Sequence, residues 1–278
     1  MDRIRRLPPA LVEHARAFLD GDLTPVKPKA AATVVLLRDT RAGLKVYLLR
    51  RHRSMAFAAG MHAFPGGTVD SRDFDYAGAW AGPPPDGWAG RLRCDEPTAQ
   101  ALVCAAVRET FEESGVLFAG QSATTVVADT TAEDWEVERA ALVDRSLSFA
   151  DFVQERRLVP RTDLLAAWSH WITPEFEPRR YDTRFFVAKL PTGQRTRDVS
   201  GEADQVSWLS PGAAIAGVDS GALAMLAPTY VTLKELAGFE TADEAVDAAG
   251  TRTIVTVVPG VEIIDGEGFL TLPLESSR

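Results

Sequence analysis

The chain contains very few cysteines: Cys94 and Cys104 are the only two among 278 residues. Two cysteines exclude a disulfide-rich scaffold and a zinc site built mainly from thiolates. A chain of this length can bury enough surface to fold without a disulfide or a structural metal. The low cysteine content is typical of a reducing compartment, and we expect a cytoplasmic protein.

Long apolar runs and an excess of basic charge are also missing. The best apolar run, residues 30–37, is far shorter than the roughly 18 residues of a membrane span. Pro8 and Pro9 stand where a secretion signal would need apolar residues. We therefore expect neither secretion nor a membrane partner. The net charge of −9 gives no electrostatic footprint for nucleic acid, and it repels polyphosphates unless metal cations intervene. A homodimer is left open.

Strand and helix patterns follow one another without regular alternation. Apolar stretches rich in β-branched residues predict strands at 31–37, 44–50, 168–173, 184–190, 206–209 and 253–258. Helices are expected at 10–20, 96–114, around 213–216, and at 229–237. This order favours an α+β fold, built as an α/β/α sandwich around a mixed β-sheet with insertions, over a doubly wound sheet.

Two stretches have the composition of insertions. Residues 71–95 include the run 82–87, Gly-Pro-Pro-Pro-Asp-Gly, and we expect an irregular surface loop or lid there. Residues 120–166 are polar and are expected to be partly helical. The predicted organisation is an N-terminal helix and extended lead-in at 1–29, then one domain over 30–278 with both insertions and a C-terminal extension from about 225.

Three acids share one face of the helix expected at 96–114. Glu109, Glu112 and Glu113 fall within an arc of about 100° at the helical 100° per residue, and apolar residues occupy the opposite side. Like charges one turn apart destabilise an isolated helix, and a hard divalent cation with oxygen ligands removes that cost. A solvated acidic face is the competing interpretation. Arg108 just before the acids and Gly115 just after them favour a metal site.

The segment Arg108-Glu109-x-x-Glu112-Glu113-x-Gly115-Val116 resembles the second half of the Nudix box of the Nudix hydrolases, G-x5-E-x7-R-E-U-x-E-E-x-G-U, where U is apolar. In the motif, the glycine precedes the arginine by 14 positions. Gly67 precedes Arg108 by 41, and residues 71–95 absorb the excess of 27. Two positions depart from the motif, because Gln100 replaces its early Glu and Thr110 replaces an apolar residue.

A narrower resemblance extends over roughly residues 30–240. Coenzyme A diphosphatases of the mammalian peroxisomal type also interrupt the box after a Gly-Gly loop, and four stretches are similar to theirs: 60–67, 104–113, 168–174 and 179–186. This resemblance implies coenzyme A or acyl-coenzyme A as the substrate. An ADP-ribose or nucleotide-sugar pyrophosphatase is the alternative enzyme. A non-catalytic nucleotide-binding regulatory module is the alternative from another class, and it predicts loss of the acids that are present here.

The resemblance implies divalent-metal-dependent hydrolysis of a phosphoanhydride bond in a small nucleoside diphosphate derivative. Mg²⁺ or Mn²⁺ would be held by Glu109, Glu112 and Glu113, with the backbone carbonyl of Gly67 as a further ligand. Arg108 would hold one carboxylate in place, so it joins the three glutamates as the candidate catalytic set. Which acid deprotonates the attacking water is left open.

Many members of the family add a metal-binding acid from a later loop. Glu202 is our choice, ahead of Asp204, because it lies a few residues before the strand expected at 206–209. Basic and aromatic residues near the motifs are the candidate substrate-binding set: Arg51, Arg53, Phe64, Arg179 and Arg180.

Overall fold

The computed structural model describes residues 2–54, 58–198, 201 and 203–272, and the side chains of residues 2–5 are outside that description. Eight helices are described: α1 (Pro9–Leu19), α2 (Pro85–Leu92), α3 (Glu96–Ser114), α4 (Glu133–Val143), α5 (Phe149–Glu155), α6 (Pro211–Asp219), α7 (Ala227–Leu236) and α8 (Ala242–Thr251). Two short 3₁₀ helices span Ser71–Asp75 and Thr162–Leu164.

The described strands are β1 (Asp2–Arg6), β2 (Lys29–Thr40), β3 (Gly43–Arg51), β4 (His62–Ala63), β5 (Gly66–Thr68), β6 (Ala119–Gly120), β7 (Val159–Pro160), β8 (Ala166–Ile172), β9 (Tyr181–Lys189), β10 (Ala203–Leu209), β11 (Thr256–Val257), β12 (Gly260–Ile264) and β13 (Glu267–Leu272). Eight of them form the main sheet, in the order β10–β3–β2–β9–β8–β11, with β4 paired to β3 and β5 paired to β2. The pairs β2–β9 and β8–β11 are parallel and the others antiparallel, so the sheet is mixed as predicted.

Strand β2 shows how the sheet separates two cores. Successive side chains of a strand point to opposite faces. Val34 and Leu36 pack into the cluster that includes α3, and Val35 and Leu37 pack into the cluster that includes α7 and α8. Helices therefore cover both faces, which confirms the predicted α/β/α sandwich.

Helix α3 begins and ends where its sequence predicts. The side chain of Asp95 accepts a hydrogen bond from the backbone N–H of Thr98 at 2.8 Å, and Pro97 lies in the first turn. Gly115 ends the helix with a φ of 73°, a conformation that favours glycine. These two ends fix which residues of the helix face the sheet and which face the loop before the insertion.

The segment 71–95 differs from the irregular lid that its composition predicts. Its prolines begin helix α2 instead of interrupting structure, because proline is tolerated in the first helical turn. Trp88 is only 2% exposed, and its ring meets Phe186 of β9 at a centroid distance of 5.7 Å. The segment is therefore a covered part of the core beside α3.

The two ends of the chain meet in a second sheet that the sequence pattern did not indicate. Its order is β1–β13–β12, and α1 packs on it through Leu7, Ala15 and Leu270. The helix expected at 10–20 is confirmed as α1. Within the described ranges, no helix is both long enough and apolar enough to cross a membrane.

Candidate active site

The short strand β5 brings the Gly-Gly loop to the acidic face of α3. The backbone N–H of Gly66 donates to Oε2 of Glu113 at 2.7 Å. A Cβ atom placed on Gly67 would lie 2.5 Å from Oε1 of Glu109, so only a glycine fits there without moving that carboxylate. The loop and the helix are thus in contact although Gly67 and Glu109 are 42 positions apart in the sequence.

Arg108 connects the acids to the insertion. Its Nη1 donates to Oε1 of Glu109 at 2.8 Å and to Oε1 of Glu112 at 3.0 Å. Its Nη2 also donates to the carbonyl oxygen of Thr68 at 3.1 Å. On the other edge, Nε and Nη2 donate to the two carboxylate oxygens of Asp73 at 3.0 and 2.9 Å. Arg108 is 8% exposed, and all three nitrogens of its guanidinium donate hydrogen bonds.

Burial and charge perturb the titration of this cluster. Burial raises the pKa of Glu109 to about 7, against the opposing effect of Arg108. Burial likewise raises the pKa of Glu112. Burial would lower the pKa of Arg108, but its contacts with Asp73 and the two glutamates outweigh that effect and raise it. Three carboxylates, those of Asp73, Glu109 and Glu112, therefore contact one guanidinium, and the carboxylates of the site outnumber its one buried cation.

The donor set fits a hard divalent cation. Three carboxylates and the carbonyl of Gly67 would supply only oxygen ligands, the type that Mg²⁺ and Mn²⁺ take. Among the described residues, no three His, Cys, Asp or Glu side chains are already gathered to hold one ion. Glu109 and Glu112 accept from Arg108 instead, and Glu113 accepts from Gly66. Binding of a cation by these glutamates would therefore replace the contacts that they make with Arg108 and Gly66.

The cluster lines a cavity of about 1150 Å³. Basic residues stand in its wall: Arg51, Arg72, Arg145 and Arg179. Another part of the wall is apolar and combines the two ends of the chain with the main sheet: Leu7, Leu11, Trp171, Leu226 and Leu270. A cavity of this size exceeds the roughly 300–1000 Å³ that accommodates most small ligands, and it offers both charged and apolar surfaces.

The candidate substrate-binding residues separate into two groups. Arg51, Phe64 and Arg179 line the cavity, whereas Arg53 and Arg180 are not among its lining residues. Arg180 is buried and donates to backbone carbonyl oxygens of Thr173 at 3.0 Å and of residue 26 at 2.8 Å. Its guanidinium therefore fixes the lead-in to the domain, and the expectation that it holds a substrate phosphate does not fit this placement.

The candidate metal-binding acid from the later loop is Glu202, with Asp204 as the alternative. Glu202 lies outside the described residues. Asp204 accepts from Nε of Arg50 at 2.5 Å and does not line the cavity.

Arg53, the other candidate substrate-binding residue that does not line the cavity, is exposed and lies beside Gly60.

Asp73 is the member of the cluster that the motif does not contain. It lies in the 3₁₀ helix Ser71–Asp75, 35 positions before Arg108, inside the segment that interrupts the box. No fixed spacing relates it to the three glutamates. A local signal exists, because Asp70 and Asp73 form a reciprocal capping box at the start of the 3₁₀ helix, but that signal indicates a turn rather than a site.

Comparisons with known proteins identify a family model and several related proteins that match this chain. Residues 92–236, just over half of the chain, match the family model of the NUDT19 Nudix domain. Acyl-coenzyme A diphosphatase NUDT19 of Xenopus laevis is 25% identical over 240 residues, which cover 74% of this chain and 63% of that protein. The Gallus gallus protein of the same name is 26% identical over 237 residues, covering 72% and 63%. The chain thus spans about 63% of the length of these two relatives.

Two further matches cover a larger share of the length of the matched protein. Putative nudix hydrolase 7 of Caenorhabditis elegans is 23% identical over 274 residues, covering 91% of this chain and 80% of that protein. A crystal structure of a NUDIX hydrolase from Alicyclobacillus acidocaldarius superposes with a TM-score of 0.69 at 28% identity, over 80% of this chain and 96% of that one. Since the matched region includes α3 and its three glutamates, the chain belongs to the Nudix hydrolase family, through a Nudix domain of the NUDT19 type.

Proposed function

We propose that this protein is a divalent-metal-dependent hydrolase that cleaves the diphosphate bond of acyl-coenzyme A. The observation that carries the proposal is the contact of the Gly66–Gly67 backbone with Glu113 and Glu109 in the wall of the large cavity. The split motif is thereby brought together at one place, and that place is open to a ligand.

Glu109, Glu112 and Glu113 would hold the cation, with the Gly67 carbonyl as a further oxygen ligand. A bound Mg²⁺ or Mn²⁺ neutralises a diphosphate and lowers the pKa of a coordinated water. Arg108 keeps two of the carboxylates side by side through Nη1. Burial of the cluster strengthens each of these electrostatic contacts relative to bulk water.

The two parts of the cavity wall support the substrate class. Coenzyme A esters combine a nucleotide carrying phosphates with a long arm that ends in an apolar acyl chain. Arg51, Arg145 and Arg179 offer charge for the phosphates, and apolar residues such as Leu11 and Trp171 offer a surface for the chain. The names of the two NUDT19 relatives point the same way.

The test is a substrate panel with product identification. Purified protein is incubated with coenzyme A, acyl-coenzyme A of several chain lengths, ADP-ribose and a dinucleoside polyphosphate, each with Mg²⁺, Mn²⁺ or EDTA. We expect adenosine 3′,5′-bisphosphate and acyl-phosphopantetheine as products, formed only with a metal. A higher kcat/KM for ADP-ribose than for acyl-coenzyme A would identify ADP-ribose as the preferred substrate instead. Binding of these compounds without turnover of any of them would favour a regulatory module.

A further inference from the structure

Asp73 is a buried carboxylate behind the cavity wall, in direct contact with Arg108. It is 2% exposed, and both of its oxygens accept hydrogen bonds. Oδ1 accepts from Nε of Arg108 at 3.0 Å, and Oδ2 accepts from Nη2 of Arg108 at 2.9 Å and from the backbone N–H of Asp70 at 2.8 Å. A bidentate pair of this kind fixes the plane of the guanidinium as well as its position.

The fixed guanidinium leaves one nitrogen for the glutamates. With Nε and Nη2 directed at Asp73, Nη1 is the nitrogen that meets Glu109 and Glu112, at 2.8 and 3.0 Å. The ion pair with Asp73 also balances part of the positive charge of Arg108, so that charge is shared among three carboxylates. Without Asp73, Glu109 and Glu112 would be the remaining carboxylate partners that the described residues give Arg108. The guanidinium would then be free to turn more of its donors toward these two acids, and a cation would compete with it for them more strongly than in wild type.

The segment that carries Asp73 is itself anchored to α3. Gln100, which stands where the motif has its early Glu, donates from Nε2 to the backbone carbonyl oxygen of Tyr76. Gln100 and Arg108 lie two helical turns apart on the same helix. Gln100 contacts the segment at Tyr76 and Arg108 contacts it at Asp73, so helix α3 holds the segment at two points.

We propose that Asp73 is a positioning residue for the metal site: it holds the Arg108 guanidinium so that Glu109 and Glu112 are presented to a divalent cation. The insertion then supplies a working part of the box that it interrupts. This inference rests on the proposed function, because it assumes that the glutamates bind metal.

The test measures metal binding without turnover. Mn²⁺ is titrated into purified wild-type protein and the Asp73→Asn variant in the absence of substrate, and free Mn²⁺ is followed by electron paramagnetic resonance. We expect the dissociation constant to rise by about 10- to 100-fold, the usual effect of losing a group that orients a metal ligand. The Mn²⁺ concentration for half-maximal hydrolysis should rise by the same factor, with a smaller change in kcat at saturating Mn²⁺.

A matched variant controls for loss of any Asp–Arg pair. Asp163 accepts from Nε and Nη2 of Arg161, both at 2.8 Å, and neither residue lines the cavity. Asp163→Asn should leave Mn²⁺ binding unchanged. Repeating the titrations in about 0.5 M NaCl removes a long-range charge effect, because salt screens exposed charges over a few ångströms. The difference between wild type and Asp73→Asn should persist there.

If Asp73→Asn does not fold, Asp73→Ser carries the same comparison with a smaller polar side chain. A variant that melts at a lower temperature but binds Mn²⁺ as tightly as wild type would overturn the inference and leave Asp73 as a cap of its 3₁₀ helix. Wild-type protein that binds Mn²⁺ but cleaves no substrate would refute the proposed function alone, and wild-type protein that binds no Mn²⁺ would refute both.

Discussion

Gly66 and Gly67 are neighbours in sequence, but a side chain would meet different obstacles at the two positions. A Cβ atom on Gly66 would lie 2.4 Å from the backbone oxygen of Ala32 in the adjacent strand. A Cβ atom on Gly67 would instead meet the end of the Glu109 side chain, at 2.5 Å. Backbone in a sheet cannot move aside, whereas a carboxylate can rotate. Stability and activity should therefore separate at these positions.

We expect Gly66→Ala to destabilise the fold and Gly67→Ala to leave stability nearly unchanged while lowering kcat/KM. The methyl group at residue 67 displaces the Glu109 carboxylate from its contact with the loop. Urea denaturation of both variants and steady-state hydrolysis by Gly67→Ala check this. A Gly67→Ala variant with wild-type kcat/KM would show that the contact between the loop and Glu109 is not needed.

Glu112→Gln should abolish turnover without unfolding the protein, because the amide keeps the shape of the side chain and loses its charge. Removing a proposed metal ligand should lower kcat by about 100-fold or more, since losing a group that only orients a ligand already costs metal sites about 10- to 100-fold. The measurement is kcat at saturating Mg²⁺, alongside a circular dichroism spectrum. Glu96→Gln, an exposed acid on the first turn of the same helix, is the control and should match wild type.

The raised pKa of Glu109 predicts a pH-dependent response to metal. Burial brings that pKa to about 7 in the folded protein, above the unfolded value of about 4.3. Between these values the folded protein binds more protons than the unfolded one, so metal-free stability falls as pH rises through this window. A cation displaces the proton. The rise in Tm caused by Mg²⁺ over EDTA should therefore be larger near pH 8 than near pH 5.5, and an equal rise at both would contradict this.

The sequence predicts that the three glutamates share one helix face, but it does not predict the residues that contact them. The spacing of Glu109, Glu112 and Glu113 places them on one helix face, as the structure has them. The sequence does not reveal Asp73 as a site residue, because its spatial distance from Arg108 depends on how the segment between them folds. Arg180 shows the opposite problem, since nothing in its local sequence reveals that its guanidinium is taken up by backbone carbonyls.

At the scale of elements, the segment between the two halves of the box is part of the hydrophobic core. Trp88 of α2 is 2% exposed and meets Phe186, whereas Phe74 in the preceding 3₁₀ helix is 45% exposed. Helix α2 also packs along α3. The segment therefore cannot act as a detachable lid, because its removal would uncover the helix that carries the acids.

We expect Trp88→Ala to lower the free energy of unfolding by about 3–5 kcal/mol, as truncation of a buried aromatic residue does. Phe74→Ala should change it by less than about 0.5 kcal/mol, because exposed side chains contribute little. Guanidinium denaturation followed by circular dichroism measures both. Equal effects of the two substitutions would mean that the insertion adds nothing to the core.

Local patterns predict the elements that fold on nearby contacts. Apolar stretches give β2 and β3, and cap residues give α3. The apolar pattern does not predict helix α8, although Thr241 and Glu244 form a capping box at its start, because the buried face of this helix consists of small alanine side chains. The pattern does not predict the sheet β1–β13–β12 for a different reason: its strands come from opposite ends of the chain, and no local pattern indicates that pairing.

At the scale of the whole molecule, the two ends of the chain complete the cavity. Leu11 of α1 and Leu270 of β13 stand in the same wall as the residues of the main sheet. Both belong to the small sheet and its covering helix. The proposed apolar surface for an acyl chain thus combines Trp171, inside the region matched by the family model, with Leu11 and Leu270, which lie outside it.

Leu11→Asp should therefore change substrate preference more than it changes catalysis. A charge in the apolar wall should raise KM for long-chain acyl-coenzyme A more than KM for short-chain esters. The measurement is kcat/KM across a series of chain lengths. Leu19→Asp, at a position on the same helix that is 54% exposed, is the control and should keep the wild-type profile. An unchanged profile in Leu11→Asp would exclude this wall from acyl binding.

The parallel pairing of β2 with β9 has a consequence for folding during synthesis on the ribosome. Lys29 pairs with Tyr181 and Leu37 with Lys189, so the central strand of the sheet meets this neighbour about 150 residues later. Ribosomes add about 5–20 residues per second, so β2 is made roughly 8–30 s before β9 exists. During that interval one edge of an apolar strand has no permanent partner, and edges of this kind invite wrong pairing. Until β9 has emerged, this edge is therefore a site at which the nascent chain can pair with another chain and aggregate.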